Sequence, residues 1–283
     1  MLQRAPPAQQ DLEYLAGFFD GDGCVTAGWS KGSCRLKVSQ VSDRGEASVR
    51  FHAAFGGGIY ALGQGRGAQK PSVQWPVSGQ DGRAAAKWPS MKTAQLQIAA
   101  AWPQCPQLRM VDFRKLKQYK LHCHAPDGLS CSWAYIAGFF DAEGCITIPA
   151  ASIAISLTMT QRNRAILDCI LAFLEAEQPG VWRPVSNSGP DYRLKCSLSA
   201  ASREALQKML SSGLVVKRQE AEFAPTLNQT NHLEVRESLA KLYGNQSRYL
   251  RFDAAGALRA KNMLLLLFVA DVGVIAVVVV ICC

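Results

Sequence analysis

Two short segments hold the residues with the clearest chemical potential. Residues 14–25 read YLAGFFDGDGCV and residues 135–146 read YIAGFFDAEGCI, 121 residues further on. Each carries an acid at the same internal position, Asp22 in the first and Glu143 in the second. Two carboxylates brought side by side repel unless a cation lies between them. The hard divalent ions suited to oxygen ligands are Mg²⁺ first and Mn²⁺ as a substitute. Such ions activate water and stabilise a leaving oxygen in phosphodiester hydrolysis. Read without a metal, the two acids simply end their helices. The helix macrodipole disfavours that, however, so a carboxylate at two equivalent C-termini calls for a compensating charge.

For those acids to meet, something must bring two helix ends together. Gly17 and Gly21 are four residues apart, as are Gly138 and Ala142, so each pair lies on one helical face. Small residues at that spacing let two backbones approach closely. The expectation is a pair of helices packed about a pseudo-twofold axis, with Asp22 and Glu143 at their joined ends. The first helix is read from Asp11 as cap to Gly23, the second from Ser132 to Gly144.

The repeat extends past the motif, with Thr26 matching Thr147, Leu36 matching Leu157 and Gln40 matching Gln161. Each copy reads as helix, two strands, helix, two strands, then helices, an α+β arrangement. Polar Arg35, Lys37 and Ser39 alternate with Leu36 and Val38, and Ser156, Thr158 and Thr160 alternate with Ile155, Leu157 and Met159. Later strands show the same period at Ser72 to Trp75 and at Arg193 to Ser197. Helices are expected near Glu46 to Ala54 and Arg164 to Glu177. The domains expected are residues 11–102, a linker over 103–131, and residues 132–245.

At 283 residues and 48% apolar, the chain can bury one sizeable core or two modest ones. Lys plus Arg outnumber Asp plus Glu by 31 to 22, a net charge of +9 that permits phosphate binding without demanding it. A polar β-surface can read base edges in a major groove, although any half-exposed sheet also has a polar outer face. The ten cysteines form no C-x-x-C pair, and His122, Cys123, His124 and Cys131 match no common zinc spacing. Free thiols in a reducing, intracellular setting are expected, and the N-terminus lacks a secretory apolar run. Residues 263–283 are apolar for long enough to cross a bilayer, giving either a C-terminal membrane anchor or an added hydrophobic extension.

The segments LAGFFDGDG and IAGFFDAEG resemble the two motifs of a single-chain LAGLIDADG homing endonuclease, over roughly residues 11–245. That resemblance implies two tandem αββαββα repeats whose antiparallel sheets form a DNA-binding saddle. It also implies Mg²⁺-dependent cutting of both strands across the minor groove of a long site, in the service of intron or intein mobility, with double-stranded DNA as partner and no obligate protein partner. Residue by residue, the metal acids fall on Asp22 and Glu143, and water-positioning glutamines on Gln40 and Gln161. A basic residue four positions later is Arg44 in the first copy; the second has Ala165, with Arg162 or Arg164 as substitutes. Supporting lysines fall on Lys92 and Lys217, where they would stabilise developing negative charge. Expected DNA contacts are Arg35, Lys37, Arg44, Arg66, Lys70, Gln74, Arg162, Arg164, Arg193 and Lys195. Asp20 and Asp141 are expected to be structural, and Phe51 and Trp75 core. The rival functions are an RNA maturase, a catalytically inactive DNA-binding protein, and a membrane-anchored relic of a nuclease.

Overall fold

The repeated motif forms two helices, α1 (Gln9–Asp22) and α5 (Trp133–Glu143), and their mutual packing organises the molecule. In this computed structural model the described residues are 7–28, 32–63, 70–79, 81–82, 85, 88, 90–121, 129–149, 152–244 and 258–262. Arg66, His122, Cys123, His124 and the apolar tail 263–283 lie outside them. Among the described residues no helix is long and apolar enough to cross a membrane.

Helix α5 begins as expected, with Ser132 capping it by accepting from the Tyr135 amide at 3.1 Å. Helix α1 starts earlier than expected, at Gln9, so Asp11 sits inside its first turn, where a negative charge favours the helix dipole. Gly23 and Gly144 end the helices, but in extended backbone and not in a left-handed cap. A Cβ on either would strike the phenyl ring one turn back, Phe19 or Phe140, at 2.2 and 2.3 Å.

The first half continues with β1 (Gly23–Gly28), β2 (Ser33–Val41), α2 (Glu46–Phe55), β3 (Tyr60–Ala61), β4 (Ser72–Ser78) and α3 (Thr93–Ala100). The expected linker is largely a helix, α4 (Pro106–Leu121), anchored by buried Leu116. The second half repeats the order with β5 (Gly144–Thr147), β6 (Ser156–Gln161), α6 (Arg164–Glu177), β7 (Trp182–Ser188) and β8 (Asp191–Cys196). It then adds α7 (Ser199–Ser211), α8 (Arg218–Phe223) and α9 (His232–Gly244). Each half has one antiparallel sheet, ordered β1-β2-β4-β3 and β5-β6-β8-β7. Registers match across the repeat: Gly23 opposes Val38 as Gly144 opposes Met159, both 121 residues on.

The two-residue alternation buries Leu36, Val38, Val73, Trp75 and Val77 in the first sheet and Leu157, Met159, Leu194 and Cys196 in the second. Helices α2 and α6 cover those faces. Phe51 and Trp75 are fully buried and stacked at 4.8 Å, core residues as expected. The opposite faces carry Arg35, Lys37, Ser39 and Gln74 in one sheet and Thr158, Thr160, Arg193 and Lys195 in the other.

Candidate active site

At the centre the two motif helices touch backbone to backbone. A Cβ on Gly17 would lie 1.9 Å from the Tyr135 carbonyl oxygen, and one on Gly138 would lie 1.9 Å from that of Tyr14. The contact is therefore reciprocal, as a twofold relation requires. Nearer the C-terminal ends a Cβ on Gly21 would meet the Ala142 Cβ at 2.4 Å and the Glu143 Cγ at 3.1 Å. The four expected interface residues Gly17, Gly21, Gly138 and Ala142 thus all lie at the crossing.

Hydrogen bonds across the axis reinforce it, and here the sequence reading missed two residues. The Tyr14 hydroxyl donates to Asp141 at 2.7 Å, and the Tyr135 hydroxyl donates to Asp20 at 2.7 Å. The signal was available, since both tyrosines open the repeated motif. Asp20 also accepts from the Ser90 hydroxyl and the Met91 amide. Asp141 accepts from the amides of Val215, Val216 and Lys217. These buried aspartates fasten each motif helix to the turn before a lysine-bearing helix.

Lys92 Nζ donates to the carbonyls of Phe19, Asp20 and Gly23 at 2.7, 3.1 and 2.6 Å. Lys217 Nζ donates to Phe140 O at 3.0 Å and to Asp141 O. Neither is a solvated surface charge: Lys92 is half-buried and Lys217 buried. Each ammonium satisfies the orphan carbonyls of a motif helix and sets a positive charge beside the acid that ends it.

The acids themselves sit as expected. Gln40 Nε2 donates to Asp22 at 3.3 Å and Gln161 Nε2 to Glu143 at 3.1 Å. Burial and the neighbouring charge of Asp22 push the Glu143 carboxyl up to about 7, against the pull of Lys217 and Lys92. The surrounding protein also desolvates and raises Asp22, although the residue itself lies exposed at the end of α1. Among the described residues no cluster of three or more His, Cys, Asp or Glu is present. A cation here would have to complete its shell with phosphate and water. The donor set suits that: two carboxylates, plus a buried Gln40 Oε1 with no hydrogen-bond partner.

Of the expected DNA contacts, Arg35 and Arg193 are exposed on the outward sheet faces, with Lys37, Gln74 and Lys195 half-exposed beside them. Arg183, which the sequence reading did not select, opposes Lys195 on the same face. Arg162 and Arg164 are exposed at the end of β6 and the start of α6, paired with Asp191 and Asp168. Two expectations fail. Lys70 is buried and paired with Asp43 at 3.4 Å, so it cannot reach a duplex. Arg44 is also buried, donating to Glu220 and Val216 O at 2.6 Å each and to Leu242 O at 3.2 Å. Lys70 was chosen for its charge and Arg44 as the basic residue four positions after Gln40, and neither signal reveals a partner elsewhere in the chain.

No protein-family model and no curated protein matches the sequence. Solved structures do match the fold. Meganuclease I-SmaMI bound to uncleavable DNA aligns at TM-score 0.57 and 12% identity, over 86% of this chain and 97% of that one. The LAGLIDADG meganuclease I-AabMI bound to uncleaved DNA aligns at TM-score 0.55 and 14% identity, over 89% and 97%. The I-SmaMI LAGLIDADG homing endonuclease bound to cleaved DNA aligns at TM-score 0.52 and 11% identity, over 87% and 99%. With two motif helices at its axis and a four-stranded sheet on either side, this chain has the fold of the LAGLIDADG homing endonucleases.

Proposed function

We propose that the protein is a site-specific DNA endonuclease that hydrolyses one phosphodiester bond in each strand, with Asp22 and Glu143 as its metal-binding acids. The observation that carries this reading is the meeting of one acid from each repeat at the helix crossing, between two sheets with outward polar faces. The alignment with proteins solved on DNA supports the same reading. Divalent ions, Mg²⁺ with Mn²⁺ as substitute, would supply activation of water and neutralisation of charge on the leaving oxygen. The chain's own residues divide the remaining work. Asp22 and Glu143 provide the hard oxygen ligands. Gln40 and Gln161 fix those carboxylates and offer polar atoms to water. Lys92 and Lys217 hold positive charge at the helix ends, where phosphate charge would develop. Arg35, Lys37, Gln74, Arg183, Arg193 and Lys195 meet the duplex, which is read through base edges and its ease of bending.

A binding-only protein is the rival with a specific motive, because Ala165 stands where the first copy has a basic residue. That motive is weakened by the burial of Arg44, whose guanidinium is taken up by Val216 O, Glu220 and Leu242 O. The test begins with a target selected by cleavage of a randomised duplex library in Mg²⁺. Asp22→Asn with Glu143→Gln should then abolish cutting while leaving affinity within about threefold, since neutral isosteres keep the packing. Undiminished cutting by the double variant would overturn the assignment.

A further inference from the structure

The buried pairing of Arg44 with Glu220 is not repeated at the equivalent positions of the other half. Arg44 belongs to the first half, whereas the three groups it holds, Val216 O, Glu220 and Leu242 O, belong to the second. Val216 directly precedes Lys217, and Glu220 lies on the helix that Lys217 begins. Glu220 is 1% exposed, so its charge is answered inside the protein. Repeat-equivalent positions for the other side are Ala165 for Arg44, at the 121-residue offset, and Gln95 for Glu220, at the 125-residue offset that relates Lys92 to Lys217. There both members are neutral. The arginine and its acid are thus present together on one side and absent together on the other.

We propose that Arg44 is a positioning residue acting across the two halves, bracing the turn that carries Lys217, and that among the described residues the Lys92 turn has no such arginine–acid brace. This rests on the nuclease reading and adds to it an inequality between the two sites. A fork that fixes a backbone carbonyl and a carboxylate together constrains a turn more tightly than a point charge does. Lys217 Nζ in turn holds the carbonyls at the end of α5, beside Glu143. Loss of the brace should therefore displace one lysine and leave the other in place. An ångström of misplacement at a reacting centre can cost up to about 100-fold in rate.

The experiment follows both strands of an end-labelled duplex carrying the selected target, in Mg²⁺. Lys217→Met and Lys92→Met first define which strand each lysine serves. Arg44→Met should then slow the strand slowed by Lys217→Met by roughly 10- to 100-fold and the other by less than about twofold, so that nicked duplex accumulates. Arg44→Lys, which keeps the charge but not the fork, should show the same bias more weakly. Should Arg44→Met fail to fold in a thermal melt, Glu220→Gln carries the test, because it removes the charge and keeps the size. Equal slowing of both strands, an unchanged rate on both, or bias toward the Lys92 strand would each overturn the proposal. Absence of cutting by the unaltered protein would instead defeat the nuclease reading.

Discussion

Replacing Gly17 by Ala places a methyl group 1.9 Å from the Tyr135 carbonyl oxygen and 2.8 Å from its carbon. Non-bonded carbon needs about 3.5 Å, so the helices must separate or tilt by more than about 1 Å. Both clashing atoms are backbone, which cannot swing aside as a flexible side chain would. Overpacking of this kind costs about 1–3 kcal/mol, and a rigid backbone neighbour puts the expected loss near 3 kcal/mol. Gly138→Ala should cost the same, because its methyl meets the Tyr14 carbonyl oxygen at the same 1.9 Å. The double variant is the sharper measurement. One separation of the helices relieves both clashes, so the pair should lose about 3–4 kcal/mol, not about 6, a coupling well above the roughly 0.5 kcal/mol scatter of independent sites. Urea unfolding of the four proteins closes the cycle, and cleavage by either single variant should fall by about 100-fold as the acids part. A stable Gly17→Ala protein, or strict additivity in the double, would refute the reciprocal helix contact on which the site depends.

Other outcomes follow from the same geometry. Burial first, then the charges of Asp141 and Asp43, push the Glu46 carboxyl from 4.5 up to about 7. An acid bound more tightly to its proton in the folded state weakens that state as it ionises, so stability falls as pH rises from about 4.5 to about 7. Glu46→Gln should therefore gain about 1–3 kcal/mol over the unaltered protein at pH 8 and little at pH 4, read from urea midpoints; an equal effect at both would remove Glu46 as the cause. Arg193→Gln should weaken DNA binding and lower the slope of log affinity against log salt by about 1 if Arg193 contacts a phosphate, or relax base preference at one position if it reads an edge. Lys70→Met should leave that salt slope unchanged and instead lower the unfolding free energy, because it leaves Asp43 short of its nearest cation.

How much of this was legible in the sequence depends on how far apart the interacting residues lie in the chain. The motif helices, their small-residue faces and the paired acids were legible because each copy states them in a dozen residues, twice. The sheets were legible because a half-buried strand shows its period locally, from Cys34 to Val38 or from Tyr192 to Cys196. The ends of strands and helices slipped where local signals compete. Asp11 is a good capping residue, yet α1 begins at Gln9, where the exposed Gln9 and Gln10 side chains donate to Glu13 and to Ser211 O. The linker was read as connecting chain although α4 fills most of it, because its helical pattern is basic and largely exposed, with Leu116 alone buried among its described residues. Arg44 and Lys70 were misplaced for the complementary reason. A cation looks the same in sequence whether it faces phosphate or a buried carboxylate 176 residues away, as Arg44 does with Glu220.

The same reasoning explains why the two halves agree along the axis and differ away from it. On the axis every residue meets the repeat-related helix: Gly17 meets Tyr135, Gly138 meets Tyr14, Tyr14 bonds Asp141 and Tyr135 bonds Asp20. A change at any of these residues in one copy disturbs the other, so both copies hold the same residues there, whereas Gly21 and Ala142 further along the crossing are both small but not identical. Off the axis there are two separate junctions, each able to settle its own chemistry. One is ionic: Arg44 holds Glu220, and Arg50 donates to Gly213 O at 3.0 Å and lies over the Tyr14 ring at 4.6 Å. The positions equivalent to Arg44, Glu46 and Arg50 on the other side are Ala165, Leu167 and Leu171, all packed against the hydrophobic core. A buried charge needs its charged partner while a neutral pair such as Ala165 and Gln95 does not, so such residues change together or not at all. The ionic junction also brings an orphaned Glu46 carboxylate oxygen under α1 and α5, an added sensitivity to pH. On the nuclease reading proposed above, one junction is ionic and the other neutral, so the two proposed cutting sites rest on different physics, and unequal strand cleavage under stress to the ionic junction is the outcome that reading predicts.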